Sequence, residues 1–599
     1  MEYWHPHSRI VSGSFTTLGG LTFVIPLSHP QGPFARNSLW RTAIYKIAHH
    51  LHDSGTKLIA HNAKYEVSWV YAMTGIPLES LTWWDTMMSS YVLDENEMNG
   101  LKEVAHRELG VEKWDEVNLK DAEKVPWDNL ALYNARDTDY CMRLQPLHKQ
   151  RLLDEPRLAR LFYFHSMPLI RTLARIERRG LPLDQGVVDR MTKESEAILE
   201  DKETKLLEIC TEKWGLELDE YPTISFAGST SKFFSAFMEA SELPVVKYTP
   251  TGNPSWDQYA LEEVGRQGFD IAQEILEVRK HNNRMSKFFV PWSTKTAPDG
   301  RIHATFNPMR TDDKWQDAKG TVTGRISSSN PNAQQIARDL KVCFGGEDDW
   351  LFVELDYSQI ELRVLAWVAR IDNVLAAYDR GEDLHKIMAS NITGKPIDQV
   401  TPEDRQGGKA GNFGFAYEMG EATYVEYARK TYGVNVTLDE AKTVRHAFFN
   451  KTWVGLSRWH EQQKNLARRH GFVRNPLGRK RRLPEIYSGQ GYEVGRAERR
   501  AINSPIQSMA ADLMCLALIE IDRNTDPSEV RLVGTVHDSL LAQMKPDSLD
   551  KNLSRVAGIM LDPGTRKKFG VNVRVPLEVE AKIGYHWNDP EAETRVFRT

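Results

Sequence analysis

Two aspartates stand where the chain changes direction. Leu351-Phe-Val-Glu-Leu355 reads as a short buried β-strand, and from Ser358 onward Ile360, Leu362, Val364, Leu365 and Val368 fall at helical spacing. Asp356 is thus placed at the carboxyl end of a strand, rigid yet open onto a cleft, which suits a ligand for a divalent cation. The alternative use of an aspartate there is to cap the following helix. Asp538 follows His537 between Arg531-Leu-Val-Gly-Thr-Val536 and Leu540-Leu-Ala-Gln543, at the tip of a predicted β-hairpin. A third feature is the stripe Arg405, Lys409, Phe413 and Tyr417, each four residues from the next and so on one helical face. Two cations followed by two rings can meet a nucleoside triphosphate end to end, the cations on phosphates and a ring against sugar and base.

The elements that must position these groups are legible in outline. Thr401-Pro-Glu-Asp404 is a helix start, with Thr as N-cap, Pro in the first turn and two acids near the positive end. Gly407, Gly408, Gly411 and Gly414 weaken that helix by up to ~1 kcal/mol each, so it must lean on tertiary contacts. Gly320 to Ile336 is a polar loop rich in turn residues, suited to hydrogen bonds with sugars, phosphates and groove acceptors. Arg499, Asn503 and Gln507 share a face of a helix predicted from Arg499. Between Arg458 and Arg482 nine basic residues are opposed only by Glu461, with Trp459 and Phe472 among them, a run that points to phosphate contact.

Upstream, Ser8 to Pro26 alternates around Gly19-Gly20 and predicts a hairpin, followed by helical stretches such as Gly100 to Leu109. Strands mixed with helices predict an α/β unit over residues 1–150. Tyr133 and Asp137 lie on one helical face, where Asp137 could hold a metal and Tyr133 orient water. The helix Met167 to Arg179, stopped by Gly180, leads into charged helices over 185–300, where Lys232 and Arg279 are candidate phosphate contacts.

The chain has 599 residues, enough for about four domain-sized units. Its net charge of −5 excludes indiscriminate nucleic-acid binding by the whole surface but not a local basic track. No uninterrupted apolar run reaches the ~18 residues of a membrane span, and no signal pattern opens the sequence. Cys141, Cys210, Cys343 and Cys515 lack zinc or disulfide spacing and are expected as buried thiols in a reducing cytoplasm.

Asp356-Tyr-Ser-Gln-Ile-Glu-Leu-Arg363 and Arg405-x-x-x-Lys409-x-x-x-Phe413-Gly-x-x-Tyr417 resemble motifs of family A DNA polymerases, the DNA polymerase I type. Thr321-x-Thr-Gly-Arg-x-Ser-Ser328 and His537-Asp538 resemble two more. The resemblance implies a right-hand polymerase: thumb 185–300, palm 301–365 and 499–599, and fingers 366–498, joined through 151–184 to the first unit. It implies that Asp356 and Asp538 hold two Mg²⁺ ions and that Lys409 acts on the leaving group. Arg405, Lys409, Phe413, Tyr417 and His385 would bind the nucleotide, with Glu361 as a steric gate against ribose. Arg325, Asn332, Gln334, Arg499, Asn503, Gln507 and His537 would contact primer–template DNA.

Residues 1–150 resemble 3′–5′ proofreading exonucleases of the DnaQ-like type, an RNase H-like fold, through His61-Asn-Ala-Lys-Tyr-Glu66 and Tyr133-x-x-x-Asp137. The family's first motif, Asp-x-Glu, is missing and the chain is expected to start just after it. An inactive or upstream-truncated exonuclease is therefore the expectation, with Glu66 in place of the family's Asp. Other departures are Ser539 for Glu and Glu418 for Gly; Glu418 is an acid beside the nucleotide pocket. The expected protein is a cytoplasmic DNA polymerase of a phage or bacterium, with no 5′-nuclease domain ahead of it. The alternatives are an RNA polymerase, an exonuclease only, and a catalytically impaired DNA-binding homologue.

Overall fold

The computed structural model describes residues 3–5, 7–35, 39–114, 117–229, 231–310 and 320–599. Its centre is a five-stranded antiparallel sheet built from β1 (Leu351–Tyr357), β2 (Val530–Val536), β3 (Ser539–Met544), β4 (Glu578–Gly584) and β5 (Glu593–Arg598), in the order β2-β3-β1-β4-β5. Phe352, Val353, Leu355 and Tyr357 of the central strand are buried. The apolar strand predicted before Asp356 is therefore the middle of a core, and the predicted hairpin is β2–β3, turning at His537-Asp538. Helices α1 (Ile360–Ala369) and α4 (Gly491–Asn524) share that core with the helix Met167–Arg179. The middle of α4 is long and apolar enough to cross a membrane, but it is enclosed by protein.

Beyond α1 the chain forms a helical layer that includes α2 (Leu384–Thr393) and α3 (Pro402–Phe415). The predicted start of α3 is realised as a reciprocal cap: Thr401 Oγ1 accepts from the Asp404 N–H at 3.1 Å, and Asp404 Oδ2 accepts from the Thr401 N–H at 3.1 Å. Gly408, Gly411 and Gly414 have a packing reason, while a side chain at Gly407 would meet open space. A Cβ at Gly408 would lie 2.2 Å from the His385 carbonyl oxygen, so only glycine lets α3 press onto α2. Residues from 199 to 278 have a separate core, with Phe226, Phe233, Phe234 and Phe237 clustered.

The first unit is α/β as expected. It has an antiparallel hairpin, Gly13–Thr16 with Thr22–Ile25, and a parallel pair, Leu58–Ala60 with Thr82–Asp85, surrounded by helices. It is joined to the rest by buried ion pairs. Lys64 Nζ donates to Glu177 and, at 2.5 Å, to the Phe306 carbonyl, and both charged side chains are nearly inaccessible to water. The expected boundaries at 150/151, 365/366 and 498/499 all fall inside continuous helices, Trp127–Leu153, α1 and α4. All four cysteines are buried thiols, as expected.

Candidate active site

Asp356 does not cap α1. It remains in β1, and the α1 N-cap is Gln359, with no capping side-chain bond. The register places Ser539 directly opposite it on one side and Glu580 on the other. Asp538 is the residue before Ser539, and its carbonyl accepts from the Tyr357 N–H at 3.2 Å. The two aspartates therefore meet across adjacent strands. Asp356 still reaches water at the cleft floor, but protein crowds it; that desolvation, then Asp538, Glu354 and Glu580, pushes its carboxyl up to about 7. Desolvation also raises Asp538, helped by Glu361 and opposed by Arg325 and His537. Neither aspartate makes an ion pair among the described residues. His537 is exposed and takes a left-handed φ of 53° at the turn.

Two further carboxylates belong to this sheet face. Glu354 lies two residues before Asp356, and strand alternation alone would have flagged it. Glu580 depends on the β1–β4 register, which the sequence does not reveal. Where the resemblance expects a Glu, Ser539 donates to the Val536 carbonyl at 2.9 Å, with its Oγ 3.5 Å from Glu354 Oε1.

Over this floor stand α1 and α3. Glu361 is gripped at both oxygens, by Arg325 and by the Tyr417 hydroxyl at 2.8 Å. Burial and the Glu361 charge hold the Tyr417 phenol well above its ordinary range. Arg405 Nε bonds Asp383 Oδ2 at 2.7 Å, while Lys409 is half-buried with no carboxylate partner among the described residues. The rings of Phe413 and His385 are 5.9 Å apart. Arg405, Lys409, Phe413, Glu361 and His385 are thus gathered into one region; α3 ends at Phe415, so Tyr417 reaches Glu361 from the turn beyond it rather than from the predicted helical stripe.

The loop carrying Arg325, Asn332 and Gln334 borders the hairpin, since Gln334 Nε2 donates to the Thr535 carbonyl at 3.1 Å. Asn332 is exposed and accepts from the Gln334 N–H at 3.0 Å. Arg499 is exposed, and Asn503 and Gln507 are half-buried between buried neighbours, so they form the open stripe of α4. That helix begins at Gly491, eight residues earlier than predicted.

The basic run is corrected by the structure. Arg474 and Lys480 pair with Glu155, Arg481 and Arg482 with Glu95, Arg468 with Glu498 and Glu461, Lys464 with Glu418, and Arg479 with buried Asp512. Most of the run is therefore neutralised by acids remote in sequence, leaving Arg458 and Arg469 exposed and unpaired among the described residues. Arg279 is likewise engaged internally, donating to the carbonyls of Phe226 and Trp256 and to Ser229 Oγ. Lys232 is exposed. Glu418, with φ 58°, takes a conformation natural to glycine and binds Lys464 at 2.7 Å.

In the first unit, Glu66 lies close to both Asp85 and Asp137. Glu66 is open to solvent on one side yet crowded by protein; that desolvation, with Asp85 and Asp137, raises it to about 8. Desolvation raises Asp137 to about 6, although Trp114 Nε1 donates to it at 2.9 Å. Asp85 faces backbone, accepting from the N–H groups of Ala63 and Met88 at 2.8 and 3.0 Å. Tyr133 is buried on the same helix as Asp137, its ring 4.9 Å from Lys102 Nζ.

A palm-like sheet with an acidic floor, a helix of cations and rings above it, and an α/β unit in front define the architecture of a DNA polymerase I-type enzyme. Residues 193–589 match the model of DNA polymerase family A, and residues 8–150 match that of a 3′-5′ exonuclease. The chain belongs to DNA polymerase family A. It is 29% identical to DNA polymerase I of Pseudomonas aeruginosa over 97% of its own length and 62% of that protein. It is 27% identical to the DNA polymerase of Bacillus phage SP01 over 97% of its length and 68% of that protein. The POL domain of Pol1 from M. smegmatis, solved in complex with DNA primer-template and dNTP, superposes with a TM-score of 0.77 at 25% identity, covering 96% of this chain and 93% of that one. Members of the family generally depend on divalent metal.

Proposed function

We propose that the chain is a template-directed DNA polymerase that adds deoxynucleotides to a primer 3′ end. One observation carries this reading: Asp356 and Asp538 meet across β1 and the β2–β3 turn without a cationic partner among the described residues, in the same region as Arg405, Lys409, Phe413 and Tyr417. The donor set is carboxylate oxygen, with no thiolate or imidazole bonded into it among the described residues, which fits Mg²⁺. Asp356 and Asp538 would hold two such ions, which when bound supply charge stabilisation and an activated primer 3′-hydroxyl.

The chain's own residues supply the rest. Lys409, without a carboxylate partner among the described residues, stabilises or protonates the leaving phosphates, and Arg405, steadied by Asp383, binds the same group. Phe413 and Tyr417 bear on the base and sugar. Glu361, held by Arg325 and Tyr417, is the steric gate against a ribose 2′-hydroxyl on this reading. Arg325, Asn332, Gln334, His537, Arg499, Asn503 and Gln507 line the primer–template path. We assign the sheet to the palm, residues 366 to about 490 to the fingers, and 185–300 to the thumb, working in the cytoplasm of a bacterium or of a phage's host.

For the first unit we propose a structural role rather than proofreading. Asp85 is turned onto backbone N–H groups, so among the described residues Glu66 and Asp137 are the carboxylates that match the exonuclease pattern, fewer than two-ion hydrolysis needs.

A 5′-labelled primer on a longer template, in Mg²⁺ with deoxynucleotides, tests both readings. Extension that disappears in Asp538→Ala is the expected result, and no extension from a matched primer would overturn the polymerase reading. A mispaired primer without nucleotides should stay full length; shortening would restore the exonuclease.

A further inference from the structure

The fingers contain a fully enclosed chain of hydrogen bonds that ends on His385. Trp453 and Asn412 are both inaccessible to solvent, and His385 is 2% exposed. Trp453 Nε1 lies 2.8 Å from Asn412 Oδ1. Asn412 Nδ2 lies 3.2 Å from the Leu384 carbonyl and 3.1 Å from His385 Nδ1. An indole N–H can only donate and a backbone carbonyl can only accept. Each of these neighbours independently fixes the amide, with oxygen toward Trp453 and NH₂ toward Leu384 and His385. Both amide protons are then accounted for, and His385 Nδ1 must offer its lone pair.

The ring proton of the neutral imidazole is thereby placed on Nε2. No residue among those described bonds that nitrogen. The surroundings keep the ring neutral: burial first, then Arg405 and Lys409, bring its pKa down to about 4 against the opposing charge of Asp383. The same Asp383 accepts from the His385 backbone N–H at 2.8 Å and from Arg405 Nε at 2.7 Å, so the start of α2 and the guanidinium are steadied by one carboxylate.

We propose that Asn412 and Trp453 are positioning residues that lock His385 as its Nε2–H tautomer, so that it donates to a phosphate oxygen of the incoming nucleoside triphosphate. This rests on the polymerase reading for its ligand, but the lock itself is a property of the free protein. The site then presents two fixed cations and one neutral donor, and the neutral donor does not switch on or off across the physiological pH range. An Asn412→Asp substitution keeps the shape and reverses the logic. Its carboxylate cannot donate, it would draw the ring proton onto Nδ1, and Nε2 would face phosphate with a lone pair.

The test uses the full chain labelled with ¹⁵N-histidine, with the His385 signal identified by its loss in His385→Gln. The ¹⁵N shifts should report a neutral Nε2–H ring in the parent protein and a proton on Nδ1 in Asn412→Asp. Steady-state extension should show KM for the nucleotide raised about tenfold in Asn412→Asp, kcat changed less, and a smaller KM rise in Trp453→Phe. Trp453→Phe also serves should Asn412→Asp fail to fold, because it frees the amide to turn over. An Nδ1–H or cationic His385 in the parent protein would overturn the lock. An intact Nε2–H ring with unchanged KM in the variants would overturn the positioning role. The NMR result does not depend on extension, so a chain without polymerase activity would fail the primer assay alone.

Discussion

Replacing Asp512 with alanine would leave the Arg479 guanidinium buried without a counter-charge. Asp512 is fully inaccessible in α4 and accepts from Arg479 Nη2 at 2.6 Å and Asn475 Nδ2 at 2.7 Å, and its Oδ1 lies 3.2 Å from His165 Nε2. Burial alone would raise its carboxyl, but Arg479 and His165 hold it well below the usual range. Breaking one side of a buried pair costs about 3–5 kcal/mol. Over the ~400 residues of the polymerase portion, an unfolding entropy of about 2.1 cal/mol/K per residue turns that cost into a Tm loss of about 4–6 °C. The loss should reach the active site. Arg479 packs under Gly324, where an added Cβ would sit 2.8 Å from the guanidinium, and the next residue is Arg325, which grips Glu361. Thermal unfolding of Asp512→Ala beside the double variant Asp512→Leu/Arg479→Met measures the effect, and the double variant should recover most of the loss, because an apolar pair carries no stranded charge. The competing reading makes Arg479 a phosphate contact. On that reading Arg479→Met would leave Tm alone and reduce the slope of log K against log salt by about 0.9. A Tm change below about 1 °C in Asp512→Ala together with that loss of slope would refute the structural assignment.

Three more outcomes are expected. In Glu361→Ala the ratio of kcat/KM for deoxy- over ribonucleotides should fall at least about tenfold, as one lost steric contact implies; an unchanged ratio in primer extension would remove Glu361 as the gate. Lys64→Met should weaken the docking of the first unit by about 3 kcal/mol by stranding Glu177, which limited proteolysis around residues 150–166 would detect as faster cleavage. Glu418→Gly should be within about 1 kcal/mol of neutral at pH 7, since relief of the left-handed φ offsets the lost Lys464 pair. His460 and Lys464 hold the Glu418 carboxyl down to about 2, so its contribution is complete above the usual value near 4.5 and is lost as pH falls from there toward 2. The parent's Tm should therefore drop more steeply than the variant's between pH 5 and pH 3.

What could be read in advance was whatever a local period or a terminal cap encodes. The change from strand to helix after Asp356, the four-residue spacing of Arg405, Lys409 and Phe413, the Thr401–Asp404 start and the hairpin bearing Asp538 all depend on neighbours within one element, and all four appear in the structure, whereas Tyr417 lies in the turn beyond the end of α3. What could not be read is which charge answers which. Lys480 looked like part of a basic track because only Glu461 was near in sequence, yet its partner Glu155 is 325 residues away, and Arg481 meets Glu95 across 386. A local count of charge therefore overestimates the positive field wherever two units dock, because docking selects acids opposite the bases it buries. The same logic gives Glu418 a different meaning from the one its position suggested. A carboxylate beside a triphosphate pocket would repel the substrate, but here His460 and Lys464 turn it onto the helix Leu456–His470. The acid thus belongs to the clamp that anchors the end of α3, so its effect on the reaction must pass through the placement of Tyr417 rather than through direct charge.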